Sequence, residues 1–337
     1  MLGNNVFGVD LGTSEIKIYS LKKNQTLIEK DMVAILDGER VLAVGNDAFE
    51  MFEKTPPNIE VVSPVTEGSI SDIDKVEVVL HTLLRKMDRH IGHGPVIYFS
   101  APTNRSEIEQ RAYYAISMAG GLKNPRVFLV DRPICDAIAL GIPLTKTHGT
   151  MIVNIGAQNT DISVIANEQV IISKSVPIGG QQMNESICDI IRRKNNLLIG
   201  HRTARRLKAV LASFGKEEKE ARKIVGLNTL SGLPREGIVS SAIVNDAVTS
   251  QMKVLAEEIR DFLERMPPQI AECVRNEGIY LTGGSTRIQE IDVFFKDYIG
   301  CRINLSSYYD LCTIRGLQEL ITHKSLYKWA SPVRNRK

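Results

Sequence analysis

A short apolar run, a glycine turn and a second apolar run open this chain. The same unit returns 144 residues later, close to half of the 337-residue length. Residues 6–12 read as a β-strand ending on Asp10 and Gly12, and 16–21 as the strand that follows the turn. Without gaps, Val9-Asp10-Leu11-Gly12 falls on Val153-Asn154-Ile155-Gly156, with strands expected at 151–154 and 161–165. Two copies of one strand–turn–strand unit describe a duplicated fold whose lobes present matching loops to a shared cleft. Two unrelated hairpins are the alternative. The length itself accommodates about two domains.

Between and after the copies, strands alternate with helices. Residues 32–35 and 41–44 read as a hairpin about Asp37-Gly38. Residues 75–89 place Val76, Val79, Leu80, Leu83, Leu84 and Met87 on one helical face. A strand over 95–100 precedes a helix over 107–119, with Ser106 as its N-cap and Gly120-Gly121 as its stop. A strand over 127–130 leads into a helix over 134–140. Further helices are expected at 181–194 and, strongly basic, at 201–212, then strands with turns over 229–240. A long helix starts at Ser241 or Asn245 and ends near Met266 at Pro267-Pro268. Residues 279–282 form a strand that stops on Gly283-Gly284, with a helix from Ile288. The pattern is α/β, with ligand chemistry expected at strand ends.

Several function classes are excluded. With 42 basic against 39 acidic residues the net charge is +3, too small to attract nucleic acid by bulk electrostatics. The five cysteines are dispersed and form no CxxC, so they support neither a zinc cage nor a disulfide framework and read as buried thiols. The N-terminus lacks the signature of a secretory signal, and no run of about 18 apolar residues is present, so a cytoplasmic protein is expected. There is no GxxxxGK[ST] and no GxGxxG after a strand, so the P-loop and dinucleotide-fold readings fail on their own motifs.

What remains is three glycine-turn loops, at 10–14, 154–160 and 282–286. A glycine after a buried strand lets backbone approach a phosphate, and the neighbouring N–H groups become donors to anionic oxygen. Glycine turns follow strands in many folds. The ordered set DxGT, NxGAQNT and TGGST is the more specific signal.

The stretches DLGTSEIKIY, VNIGAQNTDISVI and LTGGSTRI resemble the two phosphate loops and the adenosine loop of the actin, sugar-kinase and heat-shock-chaperone superfamily. VLAVGNDAFEMFEKTPPNI, SPVTEGSISDID, PVIYFSAPT, NLLIGHRTARRLK and GIYLTGG are similar to the MreB-type bacterial actins, in order from about residue 6 to about 320. The resemblance implies a two-lobed actin-like α/β fold with duplicated RNase H-like core domains and a smaller subdomain inserted in each lobe. The N-terminal lobe would span 1–147 with its insertion at about 32–72. The C-terminal lobe would span 148–337 with its insertion at about 181–245. It also implies ATP with Mg²⁺ in the cleft, head-to-tail protofilaments, and a role in guiding cell-wall synthesis and maintaining cell shape.

Carried over position by position, Asp10, Gly12, Thr13 and Ser14 match the first phosphate loop, with Asp10 holding hydrated magnesium through water. Gly156 and Thr160, with Ala157, Gln158 and Asn159 between them, occupy the second loop. Arg205 and Lys208 lie on the helix flanking the nucleoside, and Gly283, Gly284, Ser285 and Thr286 form the adenosine loop. Thr13 and Thr160 as capping hydroxyls, and Lys208 as a solvated helix lysine, are the plainer readings. Lys17 stands where actins carry a lysine that reaches the phosphates, and pairing with Glu15 on a solvated edge is its alternative.

The chain also departs from the family pattern. Asn154 opens the second loop in place of an Asp, and Ala157 and Gln158 replace glycines. Asp131-Arg132-Pro133 stands where Glu-Glu-Pro is usual, so Arg132 replaces the residue that orients water. A guanidinium cannot accept a proton. Glu15 puts a carboxylate beside the phosphates, unfavourable unless a cation offsets it. The expected protein is therefore an ATP-binding filament former with weakened hydrolysis, at most a slow ATPase. An active ATPase and a nucleotide-free scaffold that binds partner filaments are the alternatives, and no catalytic base for a sugar kinase is positioned in the first lobe. Other bacterial actins and cell-wall elongation proteins are the partners implied. Contact with the inner face of the cell membrane has little support. The stretch before Asp10 is expected to hold no amphipathic helix. The loop 88–95 offers only Ile91 between His90 and His93, which read as ordinary loop residues. The tail 328–337, KWASPVRNRK, reads as a solvated end or a weak anionic-surface contact.

Overall fold

The turn at Gly12 folds β1 (Val6–Leu11) back on β2 (Glu15–Ser20), pairing them antiparallel with Asp10 opposite Lys17. The computed structural model describes residues 5–118, 120–215 and 220–333. The chain forms two units: Met1–Thr147 with Ile165–Ser173 and Leu311–Lys337, and His148–Val164 with Lys174–Asp310.

In the first unit, β3 (Gln25–Lys30) pairs antiparallel with β2. A small sheet follows, of β4 (Val33–Leu36), β5 (Arg40–Val44) and, after α1 (Asn46–Met51), β6 (Ile59–Val62) on the other side of β4. The β4–β5 connection has Asp37 at φ 52° and Gly38 at φ 77°, the two left-handed residues of a tight hairpin. β7 (Val65–Thr66) and β8 (Ser69–Ile70) make a second hairpin. Asp72 caps α2 (Ile73–Met87) by accepting the Lys75 N–H, and α2 buries the apolar face read from its sequence. β9 (Val96–Ala101) pairs parallel with β1. Ahead of α3 (Glu107–Met118), the Ser106 hydroxyl accepts the Glu109 N–H while the Glu109 carboxylate accepts the Ser106 N–H, a reciprocal capping box. The expected last residue of that helix, Ala119, lies outside the described residues. β10 (Arg126–Asp131) pairs parallel with β9 and runs directly into α4 (Arg132–Ala139). Phe7, Val9, Leu11, Ile16, Ile18, Leu80, Leu84, Phe99 and Ile116 belong to one buried cluster that binds α2 and α3 to the sheet.

Entering the second unit the chain runs through β11 (Thr150–Ile155), β12 (Thr160–Ala166) and β13 (Gln169–Val176), of which Ile165–Ser173 cluster with the first unit, then α5 (Gly180–Asn195), β14 (Leu197–Leu198) and α6 (His201–Leu211). β15 (Ala221–Asn228) and β16 (Pro234–Ser240) form a three-stranded sheet with β14. α7 (Ser241–Glu264), α8 (Pro268–Glu277), β17 (Ile279–Thr282), α9 (Ile291–Ile299) and β18 (Ile303–Leu305) complete it. The main sheet has the order β13-β12-β11-β17-β18, and the sheet of the first unit contains β3-β2-β1-β9-β10. Each position in one order has its counterpart in the other. The duplication read from two glycine turns therefore extends to five strands.

Some expectations are corrected. Strands over 229–240 become β15 and β16 flanking a turn at 229–233, because Asn228 accepts the Leu230 N–H and nucleates that turn. Pro267-Pro268 ends one helix and starts another, since a proline at the first helical position has no N–H to leave unsatisfied. The helix expected from Ile288 starts at Ile291. The C-terminal segment, expected in the lobe 148–337, clusters with the first unit from Leu311 onward. Its α10 (Cys312–Thr322) packs on α4, where the Thr313 hydroxyl donates to buried Asp136 at 2.7 Å. β19 (Ser331–Pro332) then adds to the edge of β10. The tail is correspondingly not a free end over its described part. Lys328 pairs with Glu168, and the Trp329 indole donates to the Glu168 carbonyl at 3.2 Å. Residues 334–337, the rest of the basic tail, lie outside the described residues. Ile91 packs against the core cluster rather than projecting, and Asn124 lies 3.1 Å from the His93 ring.

At Gly316 the backbone of α10 meets the backbone of α4 directly. A Cβ on Gly316 would stand 1.8 Å from the Cys135 carbonyl oxygen, so any side chain there separates the helices. Gly316→Ala is expected to lower the unfolding free energy by about 3 kcal/mol or more, the upper end for overpacking. Urea denaturation followed by circular dichroism measures it, and an unchanged midpoint would show that the helices part at no cost.

Candidate functional site

The first unit brings its predicted residues to the end of β1. Register sets Asp10 opposite Lys17 on one side and Ser100 on the other. Asp10 is buried, accepts a hydrogen bond from the Ser100 hydroxyl at 2.6 Å, and lies 4.0 Å from the Lys17 ammonium. Lys17 also lies 3.9 Å from the Glu15 carboxylate, which Lys30 holds from its other side. The pairing of Lys17 with Glu15 is present, but the edge is not solvated. The Lys17 side chain is 7% exposed between its two carboxylates. The cation required to offset Glu15 is thus supplied twice.

The turn itself is shaped by Gly12. Its N–H donates to the Glu15 carbonyl at 3.2 Å, and a Cβ would meet that oxygen at 2.8 Å. At Gly156 the N–H donates to the Asn159 carbonyl at 2.9 Å, and a Cβ would again meet that oxygen at 2.8 Å. The carbonyl residues are offset by the same 144 positions as the glycines. Thr13 precedes a strand, so it caps no helix.

Beneath the first turn lies Asp31, which the sequence reading did not single out. Its N–H donates to the Ser14 carbonyl at 3.2 Å. Its carboxylate, 1% exposed as a residue, accepts from the Ser63 hydroxyl at 2.5 Å and the Val65 N–H at 2.9 Å. The Ser63 hydroxyl also lies 3.4 Å from the Thr13 carbonyl. Burial drives the Asp31 pKa up to about 7, against the opposing pull of the Ser63 and Val65 hydrogen bonds. Sequence inspection could have noted an Asp at the mouth of a buried strand, but not the hydroxyl beside it.

Arg132 is the first residue of α4, directly after β10, and its guanidinium lies next to Gly68 in the β7–β8 turn. The neighbouring carboxylate, Asp131, is bonded at 2.5 Å by Arg105.

In the second unit several loops converge. The Gly156 carbonyl accepts from the Gly180 N–H at 3.0 Å and from the Ser285 hydroxyl at 3.2 Å, and the Ala157 carbonyl accepts from the Gln181 N–H at 2.7 Å. Lys208 of α6 donates to the Gly180 carbonyl at 2.5 Å. Gly283, at φ 95°, sits where a Cβ would meet the Ile155 carbonyl at 2.4 Å and the Asn154 side chain at 2.7 Å. Thr282 and Gly283 are anchored on the Tyr309 carbonyl, and the Thr286 hydroxyl donates back to Gly283. Turn 156–159, the start of α5, Lys208 and loop 283–286 therefore form one cluster.

Other predicted residues point elsewhere. The Thr160 hydroxyl donates to the Ile178 carbonyl at 2.6 Å in the interior. The Asn159 amide donates to Ser175, and Gln158 to Gln181. Arg205 is exposed on α6. Lys208 is half-buried, so the plain reading of a solvated helix lysine is replaced. Desolvation, then the nearby Arg205 charge, brings its pKa down to about 7. Gly179 and Gly180 at the start of α5 were missed, although a Gly-Gly pair ahead of an amphipathic helix is a legible signal.

These features suit a nucleoside phosphate. In each unit glycines admit no side chain where backbone closes in, with a lysine close by: Lys17 beside Asp10 and Glu15 in the first, and Lys208 on the Gly180 carbonyl in the second. Among the described residues no cluster of three or more His, Cys, Asp or Glu could hold a metal.

A family model described as MreB/Mbl protein matches residues 4–328. The cell shape-determining protein Mbl of Bacillus cereus is 32% identical over 293 residues, 86% of this chain and 87% of that protein. The cell shape-determining protein MreB of Escherichia coli K12 is 30% identical over 322 residues, 93% and 92% of the two chains. Among solved structures, MreB5 of Spiroplasma citri bound to ADP superposes with a TM-score of 0.88 at 25% identity, covering 96% of this chain and 97% of that one. The MamK double helical filament gives a TM-score of 0.77 at 19% identity, covering 94% and 98%, a likeness of fold.

The raised Asp31 pKa makes the folded state hold a proton that the unfolded chain has released between about pH 4 and pH 7. Relative to Asp31→Asn, the ligand-free protein is expected to lose stability as pH rises across that window and to level off above it. The full change is roughly 4 kcal/mol at 1.36 kcal/mol per unit. Denaturation midpoints of both proteins from pH 4.5 to 8.5 measure the difference, and parallel curves would place the Asp31 proton elsewhere.

Proposed function

The chain belongs to the MreB/Mbl family of actin-like, cell shape-determining filament proteins, and from that premise we propose that it binds ATP and hydrolyses it weakly. The observation that carries the reading is the pair of equivalent turns at Gly12 and Gly156, each closed on the carbonyl three residues ahead. Backbone donors in such turns suit phosphate oxygens, and the nucleotide-bound state of the Spiroplasma citri structure supports the same ligand class.

When bound, ATP supplies the phosphoanhydride bond and Mg²⁺ the neutralisation of its phosphates. This chain's residues would divide the remaining work. Gly12, Thr13 and Ser14 present backbone to the phosphates, as do Gly156, Ala157 and Gln158. Asp10 holds the hydrated cation through water, with its carboxylate fixed by Ser100. Lys17 offsets Asp10 and Glu15. Lys208 and loop 283–286 border the nucleoside.

Hydrolysis also needs a group that accepts a proton from the attacking water. Arg132 cannot, because a guanidinium is protonated at every accessible pH. Asp131 is no substitute while Arg105 bonds its carboxylate. Losing a general base costs typically about 10²–10⁴-fold in rate. Asn154 removes a negative charge near the cation, an effect of at most about 4 kcal/mol at 4 Å and less through water. Binding therefore outlasts turnover. Self-association into head-to-tail protofilaments is part of the same reading, since heterologous contacts that do not close extend indefinitely. Guidance of cell-wall synthesis and contact with the membrane face are its cellular extension. Among the described residues no helix is long and apolar enough to cross a membrane.

Calorimetric titration with ATP, with and without Mg²⁺, is expected to give saturable binding alongside turnover below that of ordinary bacterial actins. Arg132→Glu combined with Asn154→Asp is expected to raise turnover about 10²-fold, the low end of a general-base contribution, with little change in affinity. Turnover of the unmodified protein at the ordinary rate would establish the active ATPase, and no nucleotide binding would establish the scaffold. Pelleting and electron microscopy across a concentration series are expected to show protofilaments, and a strict monomer would exclude them.

A further inference from the structure

Two peptide groups of the first turn are held from one side. The Ser14 carbonyl accepts the Asp31 N–H at 3.2 Å, and the Thr13 carbonyl faces the Ser63 hydroxyl at 3.4 Å. In a trans peptide the N–H points opposite to its carbonyl. The N–H groups of Ser14 and Glu15 are therefore directed away from Asp31 and Ser63, the orientation an anion-binding turn requires. What keeps them so oriented is whatever holds the two carbonyls.

The Ser63 hydroxyl has one hydrogen and three acceptors within reach: the Asp31 carboxylate at 2.5 Å, the Val65 carbonyl at 3.3 Å and the Thr13 carbonyl at 3.4 Å. An ionised Asp31 claims that hydrogen. A protonated Asp31 has an O–H of its own to donate to the Ser63 oxygen, and the serine hydrogen is released toward Thr13. Among the described residues the Asp31 Oδ1 atom has no hydrogen-bond partner, so an ionised carboxylate here would leave one oxygen bare in the interior. We propose that Asp31 is a positioning residue for the phosphate-binding turn, and that its proton decides whether the Ser63 hydroxyl braces Thr13 or is withheld from it. Proton uptake braces the turn and removes a negative charge beneath it, so both effects strengthen anion binding. The inference rests on the nucleotide reading of the same turn.

Burial, outweighing the Ser63 and Val65 hydrogen bonds, sets the Asp31 proton affinity near neutrality, at a pKa of about 7. The charges on the surrounding strands are paired among themselves: Glu15 with Lys17 and Lys30, and Glu29 with Lys86. On the adjoining helix Asp72 is paired with Lys75. The other charged groups of these elements are Asp10 beside Lys17, Arg40 on β5, Asp47 and Glu50 on α1, Glu60 on β6, Glu67 in the β7–β8 turn, Asp74, Glu77 and Arg85 on α2, and Arg132 next to Gly68. None of them is a cause of the Asp31 shift. Lys208 of the second unit titrates over the same range, and the nucleotide phosphates add their own protons, so the wild-type curve alone is not diagnostic.

The test is the dissociation constant of a fluorescent ADP analogue from pH 6 to pH 8, in excess Mg²⁺, for the wild type, Asp31→Asn and Ser63→Ala. Asp31→Asn carries no charge and cannot ionise, but no atom of its amide can both donate to Ser63 and accept the Val65 N–H, as a protonated Oδ2 does. It is expected to bind more weakly than the wild type at pH 6 and to lack about five-fold of the wild-type weakening toward pH 8, a net hydrogen bond's worth. Ser63→Ala removes the relay and is expected to bind about five-fold more weakly than wild type at pH 6, which tests the inference should the asparagine variant fail to fold. Equal pH slopes in the wild type and Asp31→Asn, or an unchanged pH 6 affinity in Ser63→Ala, overturn the inference and leave the nucleotide reading standing. Absence of binding at every pH in the wild type overturns both.

Discussion

Two peptide carbonyls, those of Glu15 and Asn159, occupy the space in which a side chain on residue 12 or 156 would begin. Much of the fold follows from that crowding. Each carbonyl is bonded by the glycine N–H it crowds, so the chain reverses within three residues and the next strand starts antiparallel to the last. A side chain at either glycine would open the turn and shift the following strand. A shift of one residue would turn Ile16 and Ile18, both fully buried, to the opposite face of the sheet. The site and the core thus share one constraint: the geometry that exposes backbone donors to an anion also sets the register of the hydrophobic cluster.

The second unit reinforces its turn more heavily than the first. Gly180, Gln181 and Ser285 all donate to carbonyls of residues 156 and 157, so two segments distant in sequence close on one loop. In the first unit the corresponding task falls to the Asp31 N–H and the Ser63 hydroxyl. A loop held by several backbone bonds is insensitive to pH, because peptide groups do not titrate. A loop braced through a carboxylic acid is not. The asymmetry between two otherwise equivalent turns lies in the chemistry of their supports.

What was legible in the sequence was what repeats or has a strong period. The 144-residue offset, the amphipathic face of α2 and the glycines at strand ends all located real elements. β3 and β13 were missed because QTLIEK and QVIISKSV lie at half-exposed positions, where polar residues blur the alternation. α8 was missed because a proline pair reads as a stop from either side. The return of α10 to the first unit was invisible for a different reason. It depends on Gly316 meeting the backbone of Cys135, a contact 181 residues apart in sequence that no local pattern records. The same holds for the candidate site: glycine loops announce themselves, while Asp31 and Ser63 gain their roles only from proximity across 32 residues.

Glu15 shows how a locally unfavourable choice is absorbed. An uncompensated carboxylate about 4 Å from a phosphate would cost on the order of 4 kcal/mol at an effective dielectric of 20. Lys30 bonds one carboxylate oxygen and Lys17 lies 3.9 Å from the other, with Asp10 on its far side. Two carboxylates and two ammonium groups therefore cancel at the mouth of the turn. Removing either lysine leaves the turn negative, and removing Glu15 leaves it positive. The charge at the mouth of the turn is thereby set by these four groups together rather than by any one member, and a glutamate that looks misplaced in the linear sequence is in balance once β3 is laid beside β2.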